Sequence, residues 1–557
     1  MSGGHVLRRL RGLLARLRGS AARIRVARRA GRWYRGISYV WHLLVWSRIV
    51  AGRTHMRPIE LPETLLRRKG IQAPPPHIEA ADNPAAAAIT DGFAAIYALL
   101  FANLRRADLL SSTRHAIPGP GFRGVYLWDS AFIAQVWAWW DRAVAADVLN
   151  AVVELRDGDR LQHVVTEFHQ SSCTQPPLIA WSLEQLLTRM QEAEAVAIAG
   201  RHFDPLCAYQ RWLDRHRRLD NGLYAWAHPY ESGVENAPRF SNVDESVLRD
   251  TRRLGAVDFS SYVVLQLDAL AALATRLRRP AAAAAHRAAA RDLRRRIDNL
   301  LWDRQDELYY DRDGAGSPVR VPTIASLMPL WAGVPDAGRA ALLVRRIMSA
   351  DAFGTRMPLP SVARNAPEFE RDMWRGPVWL NTAYGVIQGM LRYGYDRDAA
   401  TLAWRLCTGV YHVYKRERRM YEFYDPDQHH TRDLRRKQGN RWKALTLGTR
   451  PQPDFVGWTG LANNLLLEVV LGLEAGPSRL TLCPRPPAAA AGLRLLLRLP
   501  QPEVELTLQV ESAEGVTGRV SHGGRKAAFT AGRGQRLDLL AVLHGTAEGT
   551  PPCVSAI

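Results

Sequence analysis

Five segments of the chain hold aromatic, acidic and amide side chains at a density unusual for loops. In one-letter code and chain order they read YLWDS (126–130), TQPP (174–177), HPYESGVENAPRF (228–240), MWRGPVWLN (373–381) and YEFYDP (421–426). Loops are polar as a rule, but nothing requires them to hold tryptophan and carboxylates together. The combination indicates a binding or catalytic site assembled from several distant segments.

These residue types are the ones that hydrolysis of a glycosidic bond needs. One carboxylic acid protonates the leaving oxygen, and a second carboxylate activates water or attacks the anomeric carbon. Apolar walls or a neighbouring negative charge must raise the pKa of the first carboxyl towards neutrality. Aromatic rings provide such walls and a stacking surface for a sugar, and Arg, Asn and Gln bind hydroxyl groups. All of these parts occur in the five segments.

In sequence, the five segments resemble the motifs of glycoside hydrolase family 63 and its bacterial relatives. That family includes processing α-glucosidases and the hydrolases of mannosylglycerate and glucosylglycerate, and trehalases resemble the chain more distantly. The likeness runs in order from about Trp128 to Trp458. It implies an (α/α)6 toroid and an inverting glycosidase that acts on a small α-linked glucoside or mannoside, either an oligosaccharide or a glycerate glycoside.

The resemblance assigns the two catalytic carboxylates. The general acid of the family lies in a stretch like E-S-G-x-D-N-S-P-R-[WF], which places it at Glu235, where the family usually has Asp. The base lies in a stretch like [FY]-x-E-x-Y-[DN]-P, which places it at Glu422. For an inverting pair we expect the two carboxyl groups to be roughly 6.5–9.5 Å apart. The Gly that usually follows the base motif is missing, since residues 427–430 read DQHH.

The remaining motif positions imply contacts with the sugar. Trp128 and Asp129 match W-D-S of the subsite that holds the cleaved sugar, and Asp129 could instead cap the helix that follows. The other expected substrate-binding residues are Gln175, Arg239, Trp374, Arg375, Trp379, Asn381, Tyr424 and Trp458.

Helices must position these loops. Helical patterns separated by short polar loops fill residues 86–475, with examples at 89–106, 130–155, 176–195, 258–278, 281–302, 336–349, 378–393, 396–415 and 457–473. This succession favours alternating inner and outer helices, with the loops at one end forming a pocket. We therefore predict a mainly α fold with three parts: a basic helical extension and Pro-rich linker (1–85), an (α/α)6-barrel catalytic domain (86–475), and a small β-rich domain (476–557).

Charge is concentrated at the N-terminus. Residues 1–69 contain 17 Arg or Lys and two Glu, which is +15 of the total +21 and leaves +6 for the other 488 residues. The body therefore does not read as a nucleic-acid-binding module. The leader is either a basic amphipathic helix that lies on an anionic membrane or docks an acidic partner, or a solvated extension. Its apolar run at 37–50 is too short to span a bilayer.

The cysteines and the possible metal ligands of the chain indicate neither a disulfide framework nor a metal site. The five cysteines are odd in number and show no C-x-x-C spacing, which favours neither a zinc site nor a disulfide framework and suggests a cytoplasmic location. His163, Glu167 and His169 do not share one helix face, so no metal and no cofactor is expected.

The expected partner is a carbohydrate, and the oligomeric state stays open. The rival hypotheses are a trehalase-like enzyme and a toroid that binds glycan at a membrane without cleaving it.

Overall fold

The chain forms, in a computed structural model, a mainly helical body joined to a small antiparallel sheet. The structure describes residues 61–108, 110–167, 169–241, 250–437 and 447–545. Within them, the predicted mainly α fold with a small β portion near the C-terminus is confirmed. Most of the basic leader lies outside the described residues.

Helices make up the body from residue 86 to residue 470. The described α-helices are α1 Glu63–Arg68, α2 Ala86–Asn103, α3 Leu127–Trp137, α4 Arg142–Glu154, α5 Ile179–Leu187, α6 Glu192–His216, α7 Val257–Arg276, α8 Pro280–Leu301, α9 Met328–Trp331, α10 Ala337–Met348, α11 Leu380–Arg392, α12 Asp396–Glu417, α13 Leu461–Asn464 and α14 Leu539–Val542. A π-helical turn, Leu465–Val470, continues α13. Most of the predicted helices occur within a few residues of their expected ends.

The observed helices differ from the predicted ones at two places. The pattern at 130–155 forms two helices, because the chain turns at 138–141 and the Asp141 side chain accepts a hydrogen bond from the Val144 N–H to cap α4. Helix α6 was not predicted at its full length, and it contains Pro205 in its interior.

The helices fall into two sets by packing. In the first set α3 packs on α5, α5 on α7, α7 on α9, α9 on α11, α11 on α13, and α13 returns to α3. Every residue of α3 is buried, whereas α8 from the second set buries few of its 22 residues. A helix that is apolar on all sides must be surrounded by others, so the first set lies inside and the second outside.

Helices α2 and α7 are long and apolar enough, by composition, to cross a membrane. Most of each is nevertheless buried inside the body, including Phe93 of α2 and Val263 of α7. Both therefore read as core helices.

The main sheet consists of five antiparallel strands. They are β1 His77–Ala81, β10 Arg494–Pro500, β11 Glu503–Ser512, β12 Gly515–His522 and β13 Arg525–Gly532, and they lie side by side in that order. Strand β11 alternates exposed and buried residues, which gives the sheet one face towards the core. Strand β1 comes from the segment predicted as linker, with His77 opposite Arg498 and Ala81 opposite Arg494. The linker is thus part of the C-terminal sheet.

Short strands complete the fold. They are β2 Leu104–Arg105, β3 His115–Ala116, β4 Val125–Tyr126, β5 Val164–Val165, β6 Trp302–Asp303, β7 Leu308–Tyr309, β8 Leu473–Ala475, β9 Leu480–Leu482 and β14 Leu537–Asp538. Strands β8 and β9 pair across the predicted domain boundary at 475.

Cysteine usage differs from the sequence-based expectation. Cys173, Cys207 and Cys407 are free, and Cys483 is disulfide-bonded. An odd cysteine count without close spacing does not exclude a disulfide.

Candidate active site

A cavity of about 190 Å³ opens among the loops that join the inner helices. Eight of the twelve predicted site residues line it: Trp128, Asp129, Gln175, Glu235, Trp374, Trp379, Glu422 and Trp458. Both predicted catalytic carboxylates are therefore in the same cavity, although they are 187 positions apart in the chain.

Glu422 lies beyond the end of α12 and is almost completely buried. Its Oε1 accepts hydrogen bonds from Arg436 Nε at 2.7 Å and from the Gln452 N–H at 3.0 Å. Its backbone carbonyl accepts a bond from Trp458 Nε1 at 2.6 Å. Burial raises the pKa of Glu422, with the charge of Glu235 acting in the same direction and Arg436 against it. Since both side-chain bonds reach Oε1, neither of them occupies the second oxygen.

Glu235 is carried by the loop 231–240, which we call the acid loop. One end of this loop is held by Glu231, a buried residue whose carboxylate pairs with Arg217 at 2.7 Å and accepts bonds from the Thr174 and Ala227 N–H groups. In the middle, Gly233 has φ +74° and packs so closely on Trp128 that a Cβ would lie 2.4 Å from the indole.

The other end of the acid loop is held by Arg239. This buried guanidinium pairs with Asp311 at 2.9 Å and with Asp258 at the start of α7. Asn236 adds a central link, because its Oδ1 accepts a hydrogen bond from the Trp374 N–H at 3.0 Å. The loop is thus anchored on both sides of the carboxylate that it presents, which fixes a catalytic group in position.

The Glu235 carboxylate itself has a cationic partner. Lys437 Nζ lies 2.8 Å from Glu235 Oε1, and the side chains are only 12% and 14% exposed. An ammonium at this distance stabilises the ionised form of a carboxylate.

Indole rings form one wall of the cavity. Trp374 and Trp379 are stacked with centroids 3.7 Å apart and planes 7° from parallel. Trp128 contacts Trp374 at 6.2 Å and Trp458 edge-on at 5.5 Å, and Phe455 extends the wall at 4.5 Å from Trp458. Such a wall offers a flat apolar surface to a sugar ring and keeps water from the carboxylates.

Asp129 and Gln175 are the polar groups at the base of this wall. Asp129 is the third residue of α3, whose N-cap residue is Tyr126. Burial, with the charge of Glu422 acting in the same direction, raises the pKa of Asp129 to about 8. Near neutral pH its carboxyl therefore carries a proton and is able to donate to a hydroxyl oxygen. Gln175 Oε1 accepts a hydrogen bond from the Trp128 N–H at 3.3 Å, which orients the amide.

Four predicted substrate contacts lie away from the cavity. Arg239 anchors the acid loop, and Arg375 pairs with exposed Glu370. Tyr424 is fully buried, and its hydroxyl accepts a bond from the Tyr421 N–H. Asn381 is buried in the first turn of α11, and its side-chain nitrogen and oxygen are without a hydrogen-bond partner among the described residues. The first three residues contact other protein groups in the structure, and a linear motif does not distinguish such contacts from substrate contacts.

Sequence reasoning missed several residues at the site. Arg436 and Lys437 bond the two carboxylates. In the sequence, the feature that could have indicated them is the basic run at 435–437, whose middle residue lies fourteen positions after Glu422. The additional lining residues outside the five segments include Phe122, Arg123, His163, His169, Leu447 and Phe455. His163 stacks on Tyr230 at 4.3 Å. Among the described residues no group of three or more potential ligands could hold a metal ion.

Two carboxylates facing a small cavity beside stacked indoles define the class of glycoside hydrolases. The model of a known protein family matches residues 123–440, and that family is described as the mannosylglycerate hydrolase MGH1-like glycoside hydrolase domain. Because the match covers more than half of the chain, the chain belongs to this family. It is a glycoside hydrolase.

Individual relatives agree with the family match. The mannosylglycerate hydrolase of Thermus thermophilus is 29% identical over 376 residues, covering 54% of this chain and 88% of the relative. A periplasmic trehalase of Citrobacter koseri is 25% identical over 447 residues, covering 71% and 74%. A solved structure, the GH63 mannosylglycerate hydrolase of Thermus thermophilus in complex with Tris, is similar with a TM-score of 0.55 and 26% identity, covering 67% of this chain and 98% of that chain.

Proposed function

We propose that this glycoside hydrolase is an inverting α-glycosidase that releases glucose or mannose from a small α-linked glycoside. Glu422 deprotonates the attacking water, and Glu235 protonates the departing oxygen. The observation that carries the proposal is that both carboxylates line a single cavity walled by tryptophans.

The proposed scaffold is an (α/α)6 barrel. Its support is the closed order of packing among the six inner helices, with an outer helix between successive members. In such a barrel the loops at one end meet above the axis, and the carboxylates, Asp129 and Gln175 all lie in or beside such loops.

Recognition of the cleaved sugar is assigned to the indole wall and to the polar groups beside it. The indoles Trp128 and Trp374 supply the stacking surface, while Asp129 and Gln175 bind hydroxyl groups. A cavity of about 190 Å³ is small for a ligand site, which favours a substrate of one or two sugar units over a polysaccharide.

The group that leaves is proposed to be small and acidic, as in a glycerate glycoside. Arg123, His163 and His169 line the same cavity as the two carboxylates, and a guanidinium suits the planar fork of a carboxylate. The relatives named mannosylglycerate hydrolase support the same substrate class.

Two alternatives have specific support. Trehalose is kept as a candidate because a periplasmic trehalase matches 71% of the chain. Binding without cleavage is kept because Glu235 stands where the family usually has Asp and is paired with Lys437.

Product analysis tests the proposal directly. The purified chain is incubated with α-mannosylglycerate, α-glucosylglycerate and trehalose while proton NMR follows the anomeric signals. We expect release of the sugar from a glycerate glycoside, with the β-anomer appearing first because inversion changes the configuration. The Glu422→Gln variant, prepared in parallel, controls for contaminating glycosidases. First appearance of the α-anomer would contradict inversion, and binding of these glycosides without any release would favour the non-cleaving alternative.

A further inference from the structure

Two adjacent residues pair with the two carboxylates of the site. Arg436 Nε lies 2.7 Å from Glu422 Oε1, and Lys437 Nζ lies 2.8 Å from Glu235 Oε1. The side chains of the first pair are 3% and 2% exposed, and those of the second are 12% and 14% exposed. Because both pairs are shielded from solvent, their charges interact more strongly than surface ion pairs do.

The backbone holds these two residues in place. The Arg436 N–H donates to the Thr449 carbonyl at 3.0 Å, and the preceding Arg435 exchanges backbone bonds with Arg371 and Met373. Lys437 itself has φ +51°, a left-handed conformation that residues with a Cβ rarely adopt. Such a conformation persists where surrounding contacts impose it, and it is frequent at functional sites.

The two cations have opposite consequences for hydrolysis. The base must be ionised, and Arg436 stabilises that form of Glu422. The acid must carry a proton, and Lys437 stabilises the form of Glu235 that has none. In the ligand-free site the two cations therefore favour the active, ionised form of the base and disfavour the active, protonated form of the acid.

Other charged groups around Glu235 also affect the protonation of its carboxylate. Glu422 and Arg436 interact with it electrostatically, with opposite signs. Asp129 and the titratable groups Arg123, Tyr126, His163, His169 and Tyr230 line the cavity with it. Asp372 lies on the far side, where it contacts Asn236 of the acid loop. Lys437 bonds the Glu235 carboxylate directly.

We infer, on the basis of the proposed function, that Lys437 sets the upper pH limit of hydrolysis. It holds Glu235 as a carboxylate in the ligand-free site, so that hydrolysis proceeds from the fraction of molecules in which Glu235 has taken up a proton. Lys437 contacts the acid and does not line the cavity, so it is a positioning residue with an electrostatic effect.

A pH profile of kcat/KM with the best substrate of the panel tests this role. Lys437→Met removes the charge and keeps the apolar stem, Lys437→Gln is a second neutral variant, and Lys437→Arg keeps the charge. We expect the alkaline limb of the profile to move up by about one pH unit in the neutral variants and to stay near its parent position in Lys437→Arg. Thermal unfolding shows which of the neutral variants is folded. An alkaline limb that does not move in a folded neutral variant would overturn the inference, as would an equal fall of activity at every pH.

A measurement independent of catalysis accompanies the profile. Carbon-13 NMR of glutamate carboxyl groups follows the titration of Glu235, whose signal is assigned by its loss in Glu235→Gln. We expect this signal to titrate at higher pH in Lys437→Met than in the parent or in Lys437→Arg. Titration of Glu235 at the same pH in the parent and both variants would refute the inference that Lys437 keeps Glu235 ionised. Absence of hydrolysis by the parent would instead refute the proposed function, and the NMR shift would still decide whether Lys437 keeps Glu235 ionised.

Discussion

At the scale of single residues, burial decides the electrostatics of the cavity. Asp129 and Glu422 are both almost inaccessible to water, and desolvation is the largest cause of the raised pKa of each. They differ in their partners, because Glu422 has the Arg436 guanidinium whereas the Asp129 carboxyl has no cation among the causes that shift it. The cavity therefore holds one carboxyl that is paired with a cation and one that is not.

Asp129 should reduce the stability of the fold at alkaline pH. Its pKa in the folded chain is about 8, so between roughly pH 4 and pH 8 the folded chain keeps a proton that the unfolded chain loses. The free energy of unfolding therefore falls across that range, and the full penalty is present above pH 8. We expect Asp129→Asn to raise Tm by about 2 °C or more at pH 8.5 and to change it least near pH 4, as measured by calorimetry.

An exposed aspartate provides the matched control for this experiment. Asp220→Asn, on the surface, should give similar small changes at both pH values. A lower Tm for Asp129→Asn at pH 8.5 would show that the carboxylate stabilises the fold, contrary to the prediction.

The loss of activity at low pH should report the protonation of Glu422. A base works when it is deprotonated, and burial raises the pKa of Glu422 above its ordinary value. We therefore expect kcat/KM to fall, as the pH is lowered, at a pH above the value of roughly 4.3 that is typical of glutamate. Activity that stays level down to about pH 4 would contradict this assignment of the base.

The residue types and motifs were sufficient to predict eight of the residues that line the cavity. The carboxylates and the indoles were predictable because the chemistry demands those groups and the motif order specifies their positions. Arg239 and Arg375 lie outside the cavity, and a sequence does not distinguish an arginine that binds a hydroxyl from one that pairs with Asp258 or Glu370. Lys437 escaped notice because its partner is 202 positions away.

At the scale of elements, the acid loop depends on a close contact with the indole wall. Gly233 combines a left-handed φ of +74° with a Cβ position 2.4 Å from Trp128. Any side chain there strains the backbone and displaces the indole that lines the cavity. The loop and the sugar-binding wall are thus coupled at a single glycine.

Gly233→Ala should damage sugar binding as well as stability. We expect KM to rise about tenfold or more, because a displaced Trp128 loses its stacking geometry, and Tm to fall. Gly316→Ala is a matched control, since Gly316 has φ +84° with no atom within 4 Å of its Cβ position. The control should lower Tm slightly and leave KM unchanged. Equal effects of the two substitutions on KM would show that the contact with Trp128 has no role in binding.

Helices were more predictable than strands for a physical reason. Helical periodicity is local, and it located α7, α8 and α12 within a few residues of their ends. Strand β1 has its partner β10 more than 400 positions later, and nothing in the five residues of β1 specifies that pairing. The division of 130–155 into α3 and α4 depended on one capping residue, Asp141.

At the scale of the whole molecule, charge and catalysis are separated along the chain. Of the net charge of +21, +15 belongs to residues 1–69, while the cavity lies in the nearly neutral body. A cytoplasmic location and contact of the leader with a membrane remain predictions.

Binding to vesicles tests the membrane prediction. We expect the full chain to sediment with phosphatidylcholine vesicles that contain phosphatidylserine and not with phosphatidylcholine alone, because the basic segment is attracted to anionic headgroups. Salt at about 0.5 M should release it, since screening shortens the range of the attraction. Equal recovery in the supernatant with both vesicles would favour a solvated extension.

The most direct test of the whole account is the rate of sugar release by three matched glutamate-to-glutamine variants. Glu235→Gln and Glu422→Gln each remove one carboxylate of the cavity, and Glu370→Gln removes an exposed carboxylate beside the site. On the best glycoside of the panel, we expect the first two to lower kcat about a hundredfold or more and the third to stay within about twofold of the parent. Parent-like hydrolysis by either cavity variant, in a correctly folded protein, would contradict the claim that these two carboxylates carry out the reaction.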